Sequence, residues 1–165
     1  MAPLRRLSSE SFAPFGHVAR AGDGAVKMLR DGAVRLSRSP ASLTHTAEAV
    51  DFTLDFYEVR AEGVRLTVRM AENHPNSSQI FVPMRVDRYL VIVWPQRPGP
   101  GVEPQAFFGT AQDVVVYNPG VWHHGIVALD GDALFASAMW RTRGGVDAEF
   151  ASVEPVFDIA CAPAR

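Results

Sequence analysis

From Val64 to Met70 the chain alternates, with Val64, Leu66, Val68 and Met70 on one side of an extended segment and Arg65, Thr67 and Arg69 on the other. Phe52-Thr53-Leu54-Asp55-Phe56 has the same period. A period of two sends neighbouring side chains to opposite faces, so both segments are predicted strands. Tyr89-Leu90-Val91-Ile92-Val93-Trp94 and Val114-Val115-Val116-Tyr117 are apolar on both faces, the pattern of strands buried on two sides. Further strands are predicted over Ala33 to Leu36, Ile80 to Met84, Gln105 to Phe108, Val121 to Leu129 and Leu134 to Trp140. Turn chemistry separates them at Gln96 to Gly101, Asn118-Pro119-Gly120 and Asp130-Gly131-Asp132. Helix signals are confined to Ser9 to Phe15 and Asp147 to Ser152. Many short strands with few helices predict an all-β sandwich or barrel. With no internal repeat or linker, residues 1–165 read as one domain.

Composition narrows the function classes. With 165 residues, 47% hydrophobic and 21% charged, the chain can build an ordinary core. A formal charge of −2 gives no field that would recruit nucleic acid or an anionic membrane. Of 16 lysines and arginines, Lys27 is the sole lysine, and its glycine- and aspartate-containing surroundings predict an exposed position that disfavours imine chemistry. The single cysteine, Cys161, rules out an internal disulfide and zinc sites built on several thiolates. Met1 to Phe15 lacks the apolar centre of a signal peptide, and Tyr89 to Pro95, the longest apolar run, is too short to span a bilayer. A cytoplasmic protein is expected.

Two clusters carry candidate chemistry. Gly120-Val121-Trp122-His123-His124 holds two of the five histidines, and Glu72-Asn73-His74-Pro75-Asn76-Ser77-Ser78-Gln79 gathers polar groups where an alternating strand ends. Imidazoles titrate near neutrality, so both clusters suit acid–base or metal chemistry. If Trp122 to Ile126 is extended, His123 and His124 point to opposite faces and only one enters a common cavity. Metal-binding barrels of the cupin type use His-x-His, which shares one strand face; adjacent histidines break that rule. A divalent metal held by His74, Glu72 and one of His123 or His124 is the less favoured alternative to a metal-free site.

Three elements together resemble the ureidoglycolate lyase family: Glu72 to Met84, the valine-rich Arg88 to Val93, and Gly120-Val121-Trp122-His123-His124. Ser11-Phe12-Ala13-Pro14-Phe15-Gly16 and Arg143-Gly144-Gly145 add to the likeness, which spans most of the chain. The resemblance implies a cupin-like barrel (a double-stranded β-helix or jelly roll), assembled as a homodimer, that releases urea and glyoxylate from ureidoglycolate in allantoin breakdown. Such chemistry needs an acid/base pair, a clamp for the substrate carboxylate and groups matching the urea amide. Glu72, His74 and His124 are expected as the catalytic set and Arg60 or Arg143 as the clamp. Ser78, Gln79, Tyr117, Trp122 and His123 complete the substrate site.

This chain also departs from the family pattern. Val116 stands where an asparagine is typical, Thr142 where an aspartate precedes Arg-Gly-Gly, Gly125 where a proline follows the histidines, and His17 where an aspartate follows Phe-Gly. Losing a carboxylate and an amide leaves open a diverged family member that acts on, or only binds, another small carboxylate, with or without metal.

Overall fold

The structure, a computed structural model, describes residues 4–161. The first half holds β1 (Leu4–Arg6), α1 (Ser9–Phe12), β2 (Gly16–Ala19), β3 (Ala25–Leu29), β4 (Val34–Arg38), β5 (Ala49–Val59), β6 (Arg65–Asn73) and β7 (Gln79–Arg85). The second half holds β8 (Arg88–Trp94), β9 (Gln105–Thr110), β10 (Val114–Tyr117), β11 (Trp122–His123), β12 (Val127–Ala128), β13 (Ala133–Thr142) and β14 (Glu149–Ala160). One sheet runs β1-β9-β8-β11-β6-β14, with β12 also paired to β8, and the other runs β2-β10-β7-β13-β5. β3 and β4 form a separate hairpin, on which Lys27 is exposed as expected. The fold is all-β and cupin-like. Among the described residues, no helix is long and apolar enough to cross a membrane.

Both sheets feed one core. Phe81 from β7, Tyr89, Val91 and Val93 from β8, Phe107 from β9, Tyr117 from β10 and Phe135 from β13 pack together, closed by Phe12 and Phe15 around α1. The alternate residues of β8, namely Leu90, Ile92 and Trp94, join a second cluster with Leu66, Val68, Trp122 and Ile159. β8 is thus buried on both faces, as its unbroken apolar run requires. At the rim, buried Asp113 accepts from Arg6 and Arg20, each at 2.6 Å, and pins β1 and the end of β2.

Three expectations need correction. No helix forms over Asp147 to Ser152; from Glu149 the chain is extended in β14, paired antiparallel with β6 from Glu149↔Asn73 to Ala160↔Arg65. Ladder pairing and burial of Ala151, Val153 and Ile159 outweigh the local helix signal. Val121 to Leu129 is not one strand, because His124-Gly125-Ile126 leaves the ladder between β11 and β12. The four-residue apolar face of β6 is also incomplete: Leu66 and Val68 are buried, whereas Val64 is 80% exposed and Met70 46%. β14 slips register near this stretch, between Ser152 and Phe157, and there the alternation of β6 breaks, with Ala71 buried rather than Met70.

Candidate active site

Strand pairing places the first two site residues. Glu72, near the end of β6, lies directly across the ladder from His123 on β11. Directly opposed residues share a face, so both side chains turn into the barrel. His74 follows immediately after β6, where Pro75 and Asn76 turn the chain, and its carbonyl accepts from the Gly120 N–H at 2.9 Å. Gly120 sits in the left-handed region at φ 77°, closing the Asn118-Pro119-Gly120 turn that launches β11.

Both inward histidines have a fixed tautomer. His74 Nδ1 donates to the Asp147 carbonyl at 2.9 Å, and His123 Nδ1 donates to the Val121 carbonyl at 2.9 Å. A carbonyl only accepts, so each Nδ1 carries a proton, and in the neutral ring Nε2 is the nitrogen that offers a lone pair. One ligand atom from each of Glu72, His74 and His123 lies within 4.8 Å of the others, with His123 Nε2 3.6 Å from Glu72 Oε1. His123 stacks on Tyr117 at 4.2 Å between ring centroids, and the two imidazoles are 5.5 Å apart.

This interior is rich in unsatisfied groups. Among the described residues, His74 Nε2, His123 Nε2, Tyr117 Oη and Gln79 Oε1 are buried without a partner. Tyr117 and Gln79 face each other across the β10–β7 ladder. Buried polar atoms are nearly always paired, so a run from Gln79 through Tyr117 and His123 to His74 marks a surface shaped for a polar ligand or ion. Burial pushes the His123 imidazole down to about 3, keeping it neutral. Burial also raises the Tyr117 phenol, helped by the Glu72 charge, so it remains a hydrogen-bond donor. Three acceptors and one donor therefore converge. They can receive hydroxyl and N–H groups, and Glu72, His74 and His123 are also a two-histidine, one-carboxylate set for a divalent cation.

The remaining expected residues are dispersed. His124 lies just past the end of β11: its Nδ1 bonds the Gly125 carbonyl at 2.8 Å, and it lines a groove shared with Met70, Ala71, Glu72 and Phe150. Trp122 points away from the site, into the second core cluster opposite Trp94. Ser78 is buried, and its Oγ accepts from the Thr44 N–H at 3.0 Å, anchoring the segment before β5. Arg60 lies with Arg85 and Asp132 at the far ends of β5 and β7. Arg143 is exposed and forked onto Asp51, with bonds of 2.9 to 3.2 Å.

The guanidinium facing inward is instead Arg141, which the sequence reading passed over. Its Nη2 donates to Asp55 at 2.8 Å and its Nε to Thr53 Oγ1 at 3.1 Å. Tyr57 joins the same wall: burial raises its phenol first, then the charges of Glu72 and Asp55, while Arg141 opposes them. Asp147 supplies a carboxylate beside Thr142, accepting from its N–H at 2.7 Å and from its hydroxyl at 3.0 Å. Parity along β13 carried no clear signal for Arg141, because Leu134, Ala136, Ala138 and Trp140 are at least as apolar as Phe135, Ser137 and Met139; only the burial of the latter set puts Arg141 on the inner face.

The sequence profile of the ureidoglycolate lyase family matches residues 1–159. Among curated relatives, ureidoglycolate lyase of Azotobacter vinelandii is 36% identical over 135 residues, covering 80% of each chain. The enzyme of the same name from Stutzerimonas stutzeri is 32% identical, covering 77% of this chain and 75% of its own. That of Pseudomonas aeruginosa strain PAO1 is 30% identical, covering 77% and 76%.

Proposed function

The chain belongs to the ureidoglycolate lyase family, and on that premise we propose that it cleaves ureidoglycolate to glyoxylate and urea, with Glu72, His74 and His123 as the reacting group. The observation that carries this reading is the convergence of Glu72, His74 and His123 within 4.8 Å, with both Nε2 atoms unpaired among the described residues. Ureidoglycolate brings the missing donors, a hydroxyl and a urea N–H, on one carbon. His74 Nε2 takes the hydroxyl proton, the carbonyl of glyoxylate forms, and the carbon–nitrogen bond breaks. The same proton passes from the His74 imidazolium to the leaving urea nitrogen, so the balance closes without a further reactant. Glu72 holds the urea N–H and steadies the imidazolium; His123, kept neutral by burial, accepts from the substrate. Arg141 takes the carboxylate, the role that the sequence reading gave to Arg60 or Arg143.

A second reading places a divalent cation among Glu72, His74 and His123. It is supported by the two fixed Nε2 lone pairs, the arrangement in which histidines bind metal while Nδ1–H donates to a carbonyl. Chelation followed by assay of glyoxylate release separates the two: full turnover after metal removal supports the acid–base reading, and loss restored by one added cation supports the metal.

The enzyme works as a homodimer through the outer face of β5 and β7. Val50, Phe52, Leu54 and Phe56 on β5 and Val82 and Met84 on β7 are all exposed, Phe52 by 57% and Phe56 by 60%. Six large apolar side chains exposed on one sheet face are a surface suited to contact with a second copy of the chain. The cytoplasm is its place of action, where a lone thiol such as Cys161 stays reduced.

A further inference from the structure

We propose that Asp147 is a positioning residue that fixes the tautomer and aim of His74 through a clasp with Thr142. This rests on the role given to His74 above, but its test does not depend on turnover. Between β13 and β14 the chain doubles back, and Asp147 Oδ1 accepts twice from Thr142, from the N–H at 2.7 Å and from Oγ1 at 3.0 Å. The other oxygen, Oδ2, lies 3.9 Å from Arg141 Nη1. With the side chain held at two points, the Asp147 backbone carbonyl is delivered to His74 Nδ1 at 2.9 Å. Asn76 Nδ2 adds a strut by donating to the Val146 carbonyl at 3.1 Å.

The clasp also explains a glycine. A Cβ built on Gly145 would stand 2.7 Å from Thr142 Oγ1 and 3.0 Å from its Cβ, so only glycine lets the loop close this tightly. Rings that must present one nitrogen to a ligand are commonly fixed by a carbonyl or carboxylate on the other nitrogen, and losing such a partner typically costs roughly 10- to 100-fold in activity or affinity. Here the partner is a main-chain carbonyl, so the Asp147 side chain acts on His74 through the conformation of the loop, setting which nitrogen His74 presents.

The test is imidazole ¹⁵N NMR on histidine-labelled full-length protein, with the His74 signal assigned by its loss in His74→Gln. The native protein is expected to show His74 as the Nδ1–H tautomer. Asp147→Ala is expected to give a mixture of tautomers, with kcat down roughly tenfold or more and KM unchanged within about twofold. Asp147→Asn, which keeps an oxygen for both Thr142 donors, is expected to retain the native tautomer and at least about a third of kcat. If Asp147→Ala does not fold, Thr142→Val, which removes one of the two bonds, is expected to shift the tautomer balance in the same direction by less. A native Nδ1–H signal in the folded Asp147→Ala protein overturns the proposal, as does an equal kcat loss in the alanine and asparagine variants. Should native protein release no glyoxylate, the NMR outcome still decides whether the clasp positions His74.

Discussion

His123 Nε2 lies 3.6 Å from Glu72 Oε1, and the two residues face each other directly across the β6–β11 ladder. Two acceptors at this separation repel until a donor or cation comes between them, so the pair is arranged for a ligand rather than for stability. Glu72→Gln is therefore expected to lower kcat by roughly 100-fold or more while the melting temperature stays level or rises. Parallel kinetics and thermal unfolding check this; a melting temperature that falls along with kcat would make Glu72 a structural residue.

Burial holds the His123 imidazole at about 3, against 6.5 for the free side chain. Between those values the unfolded chain binds a proton that the folded protein does not, so stability is complete above about pH 6.5 and falls as the pH drops toward 3. The slope due to this one residue approaches about 1.4 kcal/mol per pH unit. In His123→Gln that contribution vanishes. Denaturant unfolding at pH 7.5, 6 and 5 is expected to show a steeper loss in native protein than in the variant, and equal slopes would contradict the assignment.

Arg141 shares the parity of buried Ser137 and Met139 on β13 and bonds Asp55 and Thr53, whereas Arg143 lies exposed on Asp51 and Arg60 lies at the opposite end of β5. Losing a charge-assisted bond to a bound carboxylate costs roughly 1.5–3 kcal/mol. Arg141→Gln is expected to raise KM roughly 10- to 100-fold, while Arg143→Gln and Arg60→Gln change it by less than about threefold. Steady-state kinetics on the three variants discriminate among them; a KM rise confined to Arg143→Gln would move the clamp to the rim.

The apolar stripe of β5 presents Phe52, Leu54 and Phe56 to the outside. Leu54→Glu places a charge in its middle and is expected to convert dimers to monomers in light scattering. Monomeric native protein at the same concentration would contradict the proposed assembly.

Much of this architecture was legible from residue alternation. Runs such as Tyr89 to Trp94 and Val114 to Tyr117 gave buried strands because two apolar faces have no other stable place in an all-β fold. Alternation also separated His123 from His124. It could not say which face of β5 is inside: the even apolar residues face outward, while Thr53, Asp55 and Tyr57 lie on the opposite face. That inversion arises because the barrel interior is a polar site, a fact held in tertiary pairing rather than in the local pattern. β14 was hidden for the same reason, since its partner β6 lies some 76 residues away at the Glu149↔Asn73 pair. A carboxylate clamp was expected at Arg60 or Arg143, and only the pairing of β13 with β5 shows that Arg141 is the arginine beside Thr53 and Asp55.

The most direct measurement follows glyoxylate released from ureidoglycolate by purified native protein beside His74→Gln, with both proteins shown to be folded. Release well above the spontaneous rate by native protein, falling roughly 100-fold or more in the variant, is the expected result. Release at the spontaneous rate by native protein, or at the native rate by His74→Gln, would contradict ureidoglycolate cleavage at the Glu72–His74–His123 cluster.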